Sequence, residues 1–509
     1  MKIPYSCLAT HAELLFASRG GQIQVFNLEG GAPLSTWNHP DAEKEAFATQ
    51  KSHNNAEEQP LLEPDDEPPQ KKQRLEEDTD ENEDDAPAQV MAGERVDEQA
   101  EIAKEEAKKK HARINRDPIS KRPDVHIIVL LSVSQDGKYV AAVSGHDKVL
   151  WVFEHDGKGS LRESSRRAMP KRPCAIAMSS DNRAIILADK FGDVYALPVD
   201  PAKGSLAGEA TSLHVKHQRD HSKPAANEYT VHSKINLRSL EMQQRALEKR
   251  DKDKEQANEA AAEEPAFEHT LILGHVSMLT DLIIGEYQGR RYIISCDRDE
   301  HIRVSRYIPQ AYVIEAFCLG HKEFVNSIAV SETHPNLLVS GGGDESLFVW
   351  DWPTGRLVSE ADLLSQARLA TDVQNIAVQR IRSSPSGIFV ICEGVPAAFH
   401  WRLSPEGKLE HCKIVSLPGN PLDISVSTTP EPKLIVAVDP SGAESGISLL
   451  AYTLANGDAW LLPTNSFDES AEASTVLEVS PTQVKKLLYT VESLRKRGAQ
   501  RGEQDGQEE

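Results

Sequence analysis

Over most of the chain, apolar and polar residues alternate in short runs, each stopped by Gly, Asp, Asn or Pro, which is the period of half-buried strands. The runs come in pairs around a tight turn that usually carries Asp: "VSGHDKVLWVFE", "ADKFGDVYALPVD", "SCDRDEHIRVSRY" and "SGGGDESLFVWDW" place Asp147, Asp193, Asp299 and Asp344 in that turn. A weaker first copy, "ASRGGQIQVFNLEG", has Gly21 there. Successive turns lie 46, 106 and 45 residues apart from Asp147 onward. The long step is one repeat plus an insertion of about 60 residues, and the step from Gly21 to Asp147 is one repeat plus about 80. Degenerate copies follow as "SGIFVICEGVPAAFHWRL" and "KLIVAVDPSGAESGISLLAYTL". Counting units near 1–37, 125–155, 170–200, 269–308, 313–352, 373–403 and 409–463 gives about seven.

A period near 45 with Gly-His upstream (Gly274-His275, Gly320-His321) and Trp350-Asp351 at a strand end is the signature of WD repeats. Fold class is therefore all-β: a seven-bladed WD-repeat β-propeller, a ring that leaves no open sheet edge. The expected organisation is a first blade at 1–38, an acidic insertion at 39–120, blades at 121–200, a polar charged insertion at 201–265, blades at 266–465, and a C-terminal helix and tail at 466–509. Both insertions are polar and poor in aromatics. The first should be disordered. "SLEMQQRALEKRDKDKEQANEAAAEE" in the second reads as a solvated helix, and His214, His217, His221 and His232 there have no settled metal spacing. Near the end, Ser480-Pro481 with Gln483 forms a capping box, and Val484, Leu487, Leu488, Val491 and Leu494 make one apolar stripe. The stripe should pack on the propeller, with Arg495, Lys496 and Arg497 complementing the helix C-terminus.

Composition narrows the function classes. The 509 residues carry a net charge of −22, and more than half of the excess falls between His39 and Ser120. An acidic chain is a poor sole binder of nucleic acid, because phosphate contacts need clustered Lys and Arg. The six cysteines are scattered without a C-x-x-C pair, which points to reduced thiols inside the cell rather than a zinc or disulfide framework. No apolar run approaches a membrane span and no signal-peptide core opens the chain. "SGGGD" is not followed by a helix pattern, so its glycines are turn glycines, not a phosphate loop. The conspicuous His, Ser, Asp and Trp residues are structural: His321, Ser340, Asp344 and Trp350 should form a hydrogen-bonded chain linking the strands of one blade, and His275 with Ser295 should begin the same chain in the blade before.

That preceding blade is the exception. In repeat register its turn and strand carry Arg298, Arg303 and Arg306 where other copies have small, apolar or acidic residues. An unpaired buried guanidinium is costly, so Arg303 must reach water, an internal carboxylate (Asp297, Asp299 or Glu300) or a carboxylate of another protein.

"LGHVSMLTDL", "ISCDRDEHIRVSRY" and "FCLGHKEFVNSI" together resemble the non-catalytic WD-repeat subunit of the eukaryotic tRNA (guanine-N7)-methyltransferase, and the overall length and acidic insertion look like its fungal members. The resemblance implies a scaffold, not an enzyme, that holds the catalytic subunit in its active form while that subunit makes N7-methylguanosine in tRNA. It implies that this blade docks the partner, with Arg303 meeting a partner carboxylate and Arg298, His301, Arg306, Asp299 and Glu300 around it. S-adenosylmethionine and most tRNA contacts would belong to the partner, since no glycine-rich loop opens a helix here. At most an auxiliary tRNA contact would come from the basic C-terminal helix. No membrane role is expected. A nuclear location is expected, with "KKQR" (71–74) or "KKKHARINR" (108–116) as import signal or merely a solvated basic run. The alternative on the same fold is a WD-repeat adaptor of a ubiquitin ligase or chromatin complex, but the Arg that usually follows Trp-Asp by two is absent after Trp350-Asp351. A propeller hydrolase would need acidic or histidine residues recurring at the inner strand starts, and the sequence offers no such set.

Overall fold

The computed structural model describes residues 2–41, 125–202, 206, 267–429, 432–440, 447–455, 459–460, 465–467 and 479–496. Within them, seven antiparallel sheets follow one another: blade 1 at 5–38, blade 2 at 128–168, blade 3 at 173–274, blade 4 at 279–318, blade 5 at 325–362, blade 6 at 378–416 and blade 7 at 420–466. The acidic insertion, the charged helix, His214, His217, His221, His232 and Arg497 lie outside the described residues. Blades 2 to 6 end one strand further along the chain than the sequence repeat suggests. The strand Thr270–Gly274 pairs with Asp193–Pro198, so it completes blade 3 across the second insertion instead of opening blade 4.

The second and third strands are buried almost throughout, as in Leu337–Gly342 and Ser346–Asp351 of blade 5, while fourth strands such as Leu161–Ala168 are mostly exposed. Apolar side chains of adjacent blades meet face to face. One such cluster joins Ile294, Ile302 and Val304 of blade 4 to Ile328, Leu338, Phe348 and Trp350 of blade 5. Every first strand carries a one-residue bulge at the same place in the ladder, for example between Leu279 and Asp281 and between Pro421 and Asp423. At three of the seven junctions the residue after the bulge hydrogen-bonds to a backbone N–H of the next blade. Asp281 accepts from Ile328 at 3.1 Å, Ser327 from Ile381 at 3.0 Å, and Asp423 from Leu8 at 2.8 Å across the seam between blades 7 and 1. Arg380 and Arg382 lie 3.3 and 3.7 Å from Asp423, so this buried carboxylate has cationic partners as well.

The glycines of "SGGGD" are not all turn glycines: Gly341 and Gly342 end the strand Leu337–Gly342, and of the three only Gly343 lies in the turn. A Cβ on Gly342 would sit 1.8 Å from the Phe324 carbonyl oxygen, and the next element is the strand Ser346–Asp351, not a helix. The six cysteines are free thiols. No helix among the described residues is long and apolar enough to cross a membrane.

The C-terminal helix spans Pro481–Leu488 and has the expected capping box: Gln483 N–H donates to Ser480 Oγ at 3.3 Å, and Ser480 N–H to Gln483 Oε1 at 2.8 Å. It does not continue to Leu494. The N–H groups of Val491 and Glu492 turn to the Glu393 carboxylate of blade 6 at 2.7 and 3.2 Å, and a 3-10 turn follows at Glu492–Leu494. Arg495 and Lys496 therefore do not cap the helix. Residues 479–496 form a strap over one face of the ring. Val484 and Leu487 pack with Ile3 and Ile127 of blades 1 and 2, and Tyr489 donates to Asp439 of blade 7 at 2.7 Å. Arg495 donates to the carbonyls of Gly343 and Ile376, both at 2.9 Å. Lys496 ends the strap on blade 4.

Candidate partner-binding site

Blade 5 shows what a complete repeat does. His321 bridges Asp344 and Ser340 through its two ring nitrogens, each at 2.7 Å, and Trp350 Nε1 donates to Ser340 Oγ at 2.8 Å. His321, Ser340, Asp344 and Trp350 are all buried, so the chain satisfies four polar side chains within one blade.

Blade 4 begins the same way, with His275 at 2.9 Å from Ser295 Oγ, but its acidic member is Asp297 at 3.2 Å, not Asp299. Asp297 Oδ1 also accepts the N–H groups of Asp299 and His301. Burial raises the Asp297 pKa, yet the hydrogen bonds from His275 and the His301 N–H outweigh it and hold this carboxyl below the usual range. The Trp position is where the blades diverge: Ser305 occupies the register of Trp350. Arg303 fills the gap. Its Nε donates to Ser305 Oγ at 2.9 Å and its Nη1 to the Gly274 carbonyl at 2.9 Å. In blade 5 the equivalent corner, against Gly320, holds the Trp350 indole edge.

Counting four residues past the turn aligns Arg303 with Val25, Trp151, Leu197 and Phe348, but the common bulge fixes the register and makes Arg303 equivalent to Gln24, Trp151, Tyr195, Phe348, Phe399 and Leu450. Four of the other blades thus place an aromatic ring where blade 4 has a cation.

Arg303 is only 8% exposed, and none of the described carboxylates comes within 4.0 Å of it. The internal pair with Asp297, Asp299 or Glu300 is not formed. Desolvation accordingly pushes the guanidinium pKa down. Nη2 has no hydrogen-bond partner among the described residues. The other predicted residues are not gathered around it. Arg298 donates to the Leu494 carbonyl at 2.7 Å, and Lys496 of the strap pairs with Asp299 at 3.2 Å and Glu300 at 3.0 Å. Arg306, at the opposite end of the strand Ile302–Arg306, bonds to Glu315 and, at 2.8 Å, to Gln310. His301 stays half-exposed beside Asp297.

One component escaped the sequence reading. The fourth strand of blade 4, Ile314–Cys318, reads "IEAFC", and Phe317 pairs directly with Arg303 across the ladder. Phe317 is 42% exposed and Leu319 60%, with Tyr312 and Ile314 also exposed beside them. The fourth strands of blades 2 and 5 are polar ("LRESSRRA", "RLVSEAD"), so apolar residues on this outermost strand were the available signal. An apolar ridge next to a desolvated cation lacking a counter-ion has the composition of a protein-docking surface.

Comparison with known proteins adds the following. The family described as the tRNA methyltransferase TRM82 WD40 domain matches residues 15–450. A protein of Sclerotinia sclerotiorum named tRNA (guanine-N(7)-)-methyltransferase non-catalytic subunit trm82 is 32% identical over 97% of this chain and 98% of its own length. Proteins of the same name from Aspergillus clavatus (43% identical over 61% of this chain and 62% of that one) and Phaeosphaeria nodorum (37% over 72% and 82%) are also similar.

Proposed function

The chain belongs to the tRNA methyltransferase TRM82 WD40 family, and from that premise we propose that it is the non-catalytic subunit of a tRNA (guanine-N7)-methyltransferase that docks the catalytic subunit on blade 4 and keeps it in its active form. The observation that carries the docking is Arg303, 8% exposed, with two neutral hydrogen-bond acceptors and no carboxylate within 4.0 Å among the described residues. A partner carboxylate reaching Nη2 would supply the missing charge in a partly desolvated setting, where such a pair is worth more than on an open surface. The apolar ridge of Tyr312, Ile314, Phe317 and Leu319 would supply buried area beside it.

In this reading the catalytic subunit holds S-adenosylmethionine and makes most contacts to tRNA, in keeping with the net charge of −22 on this chain. The complex works in the nucleus in this reading, and "KKQR" and "KKKHARINR" are each either an import signal or a solvated basic run. The test is reconstitution. Co-expressed with the catalytic subunit, the chain should co-purify with it and raise guanine-N7 methylation of tRNA well above that of the catalytic subunit alone. Full activity without this chain, or failure to co-purify, refutes the reading.

A further inference from the structure

In blades 4 and 5 the histidine of the internal chain engages both ring nitrogens inside its own blade: Nδ1 faces Asp and Nε2 faces Ser, for His275 and for His321 alike. Blade 2 is built differently. Its histidine is His39, fully buried at the end of blade 1, and it is Nε2 that meets Asp147, at 3.0 Å. Trp151 Nε1 donates to Ser144 at 3.0 Å, as Trp350 does to Ser340, but His39 meets Asp147 and not that serine. His39 Nδ1 is therefore turned out of the blade, where the Asp41 N–H approaches it at 3.2 Å. Beside it lie the Asp41 carboxylate and the imidazole of His126, which stacks on His39 with ring centroids 4.7 Å apart.

We propose that His39, Asp41 and His126 form a divalent-cation site of the zinc class at the root of the first insertion. One ligand atom from each residue lies within 4.8 Å of the other two. Tetrahedral zinc with bonds of about 2.0–2.1 Å needs ligand atoms about 3.3 Å apart. Movements of about 1 Å by the partly exposed Asp41 and His126, with the Asp41 N–H turned away from the His39 Nδ1 lone pair, would close that gap. The Asp147 carboxylate accepts the Nε2–H of His39, which fixes Nδ1 as the lone-pair nitrogen and orients the ring, as carboxylates behind zinc-bound histidines do. Arg166 lies 3.8 Å from Asp41 Oδ2, a cation beside the carboxylate that would ligate the ion. The fourth position falls to water or to His146, whose ring is 5.3 Å from that of His126. Ligands come from both sides of the insertion: His39 and Asp41 just before it, His126 just after. The ion would clasp its two ends to the seam between blades 1 and 2.

The test uses the full chain, stripped with a chelator and titrated with Co²⁺ and Zn²⁺. The expected result is one tight equivalent, intense visible Co²⁺ bands of a tetrahedral site, bleaching of those bands by Zn²⁺, and a Zn²⁺-dependent rise in Tm. Because His39 is part of the blade, the variants are Asp41→Asn and His126→Gln, each checked for unchanged circular dichroism. Each should weaken binding at least tenfold and abolish the Tm rise. Absence of binding to the wild-type chain overturns the proposal. So does binding that survives both substitutions, which would put the ion on other residues such as His214, His217 or His221.

Discussion

Replacing Arg303 with leucine separates a docking cation from a structural one. In the isolated chain the substitution removes two hydrogen bonds, to Ser305 Oγ and to the Gly274 carbonyl, each at 2.9 Å. Hydrogen bonds to a charged group contribute about 1.5–3 kcal/mol each. Against that loss, the variant no longer holds a desolvated charge without a counter-ion, a penalty of several kcal/mol. Leu450 already occupies the same register in blade 7, so the strand accepts the side chain. The two effects are of similar size and opposite sign, and the Tm of the isolated chain should move by no more than about 3 °C. In the complex a partner carboxylate would be left buried and unpaired, which costs about 2–5 kcal/mol. At about 1.4 kcal/mol per factor of ten, Kd should rise about 30-fold or more. Lysine should restore only part of the affinity, because an ammonium on a flexible stem cannot both occupy the corner beside Gly274 and present a second donor outward. Differential scanning fluorimetry and biolayer interferometry on one preparation give both numbers. A clearly lowered Tm with unchanged Kd would refute the reasoning.

Other outcomes follow from the same structure. Isothermal titration of the isolated chain with S-adenosylmethionine should show no stoichiometric binding, since a scaffold leaves the cofactor to its partner. Arg495→Ala removes two hydrogen bonds to the Gly343 and Ile376 carbonyls and should free the end of the strap, read as faster proteolysis after residue 489 and a loss of about 1–3 kcal/mol in denaturant titration. Asp297, whose pKa is lowered in the folded chain, contributes stability that is fully present above the ordinary aspartate range near pH 4 and is lost as pH falls below it. Asp297→Asn should therefore be destabilising at pH 7, with the gap to wild type narrowing as pH is lowered below about 4.

The parts legible in the sequence are those set by local chemistry. Alternation, turn Asp residues and the Gly-His to Trp-Asp spacing gave the ring, and the His321 chain forms as its residue types required. Ser480-Pro481-x-Gln483 marked the helix start because a capping box is a local event. Its end was not local. The strap leaves the helix because Glu393, almost a hundred residues earlier in the chain, binds the N–H groups of Val491 and Glu492. Register failed in blades 1 and 3 for a related reason. Spacing from the turn residue assumes equal turns, whereas Asp299 and Asp344 stand four residues before the aligned position, Gly21 three and Asp193 two, and only the bulge shared by all seven first strands aligns the blades.

This redistribution of roles sharpens the interface. Of the charged residues that set blade 4 apart, Arg298, Asp299 and Glu300 hold the strap, and Arg306 is paired with Glu315. Exposed ion pairs of this kind contribute little singly, but here they end a segment that also touches blades 1, 2, 5, 6 and 7. The turn that presents His301 is thus held from two sides, by Asp297 beneath and by Lys496 above. Arg303 is held by Ser305 and Gly274, with Phe317 opposite it on the outermost strand. A cation whose rotamer is fixed before binding loses little side-chain entropy on meeting a carboxylate, which is the advantage of placing it in a Trp corner instead of on an open turn. Blade 4 has Ser305-Arg306 in place of a Trp-Asp pair, and the corner that Trp350 fills in blade 5 holds the Arg303 guanidinium instead.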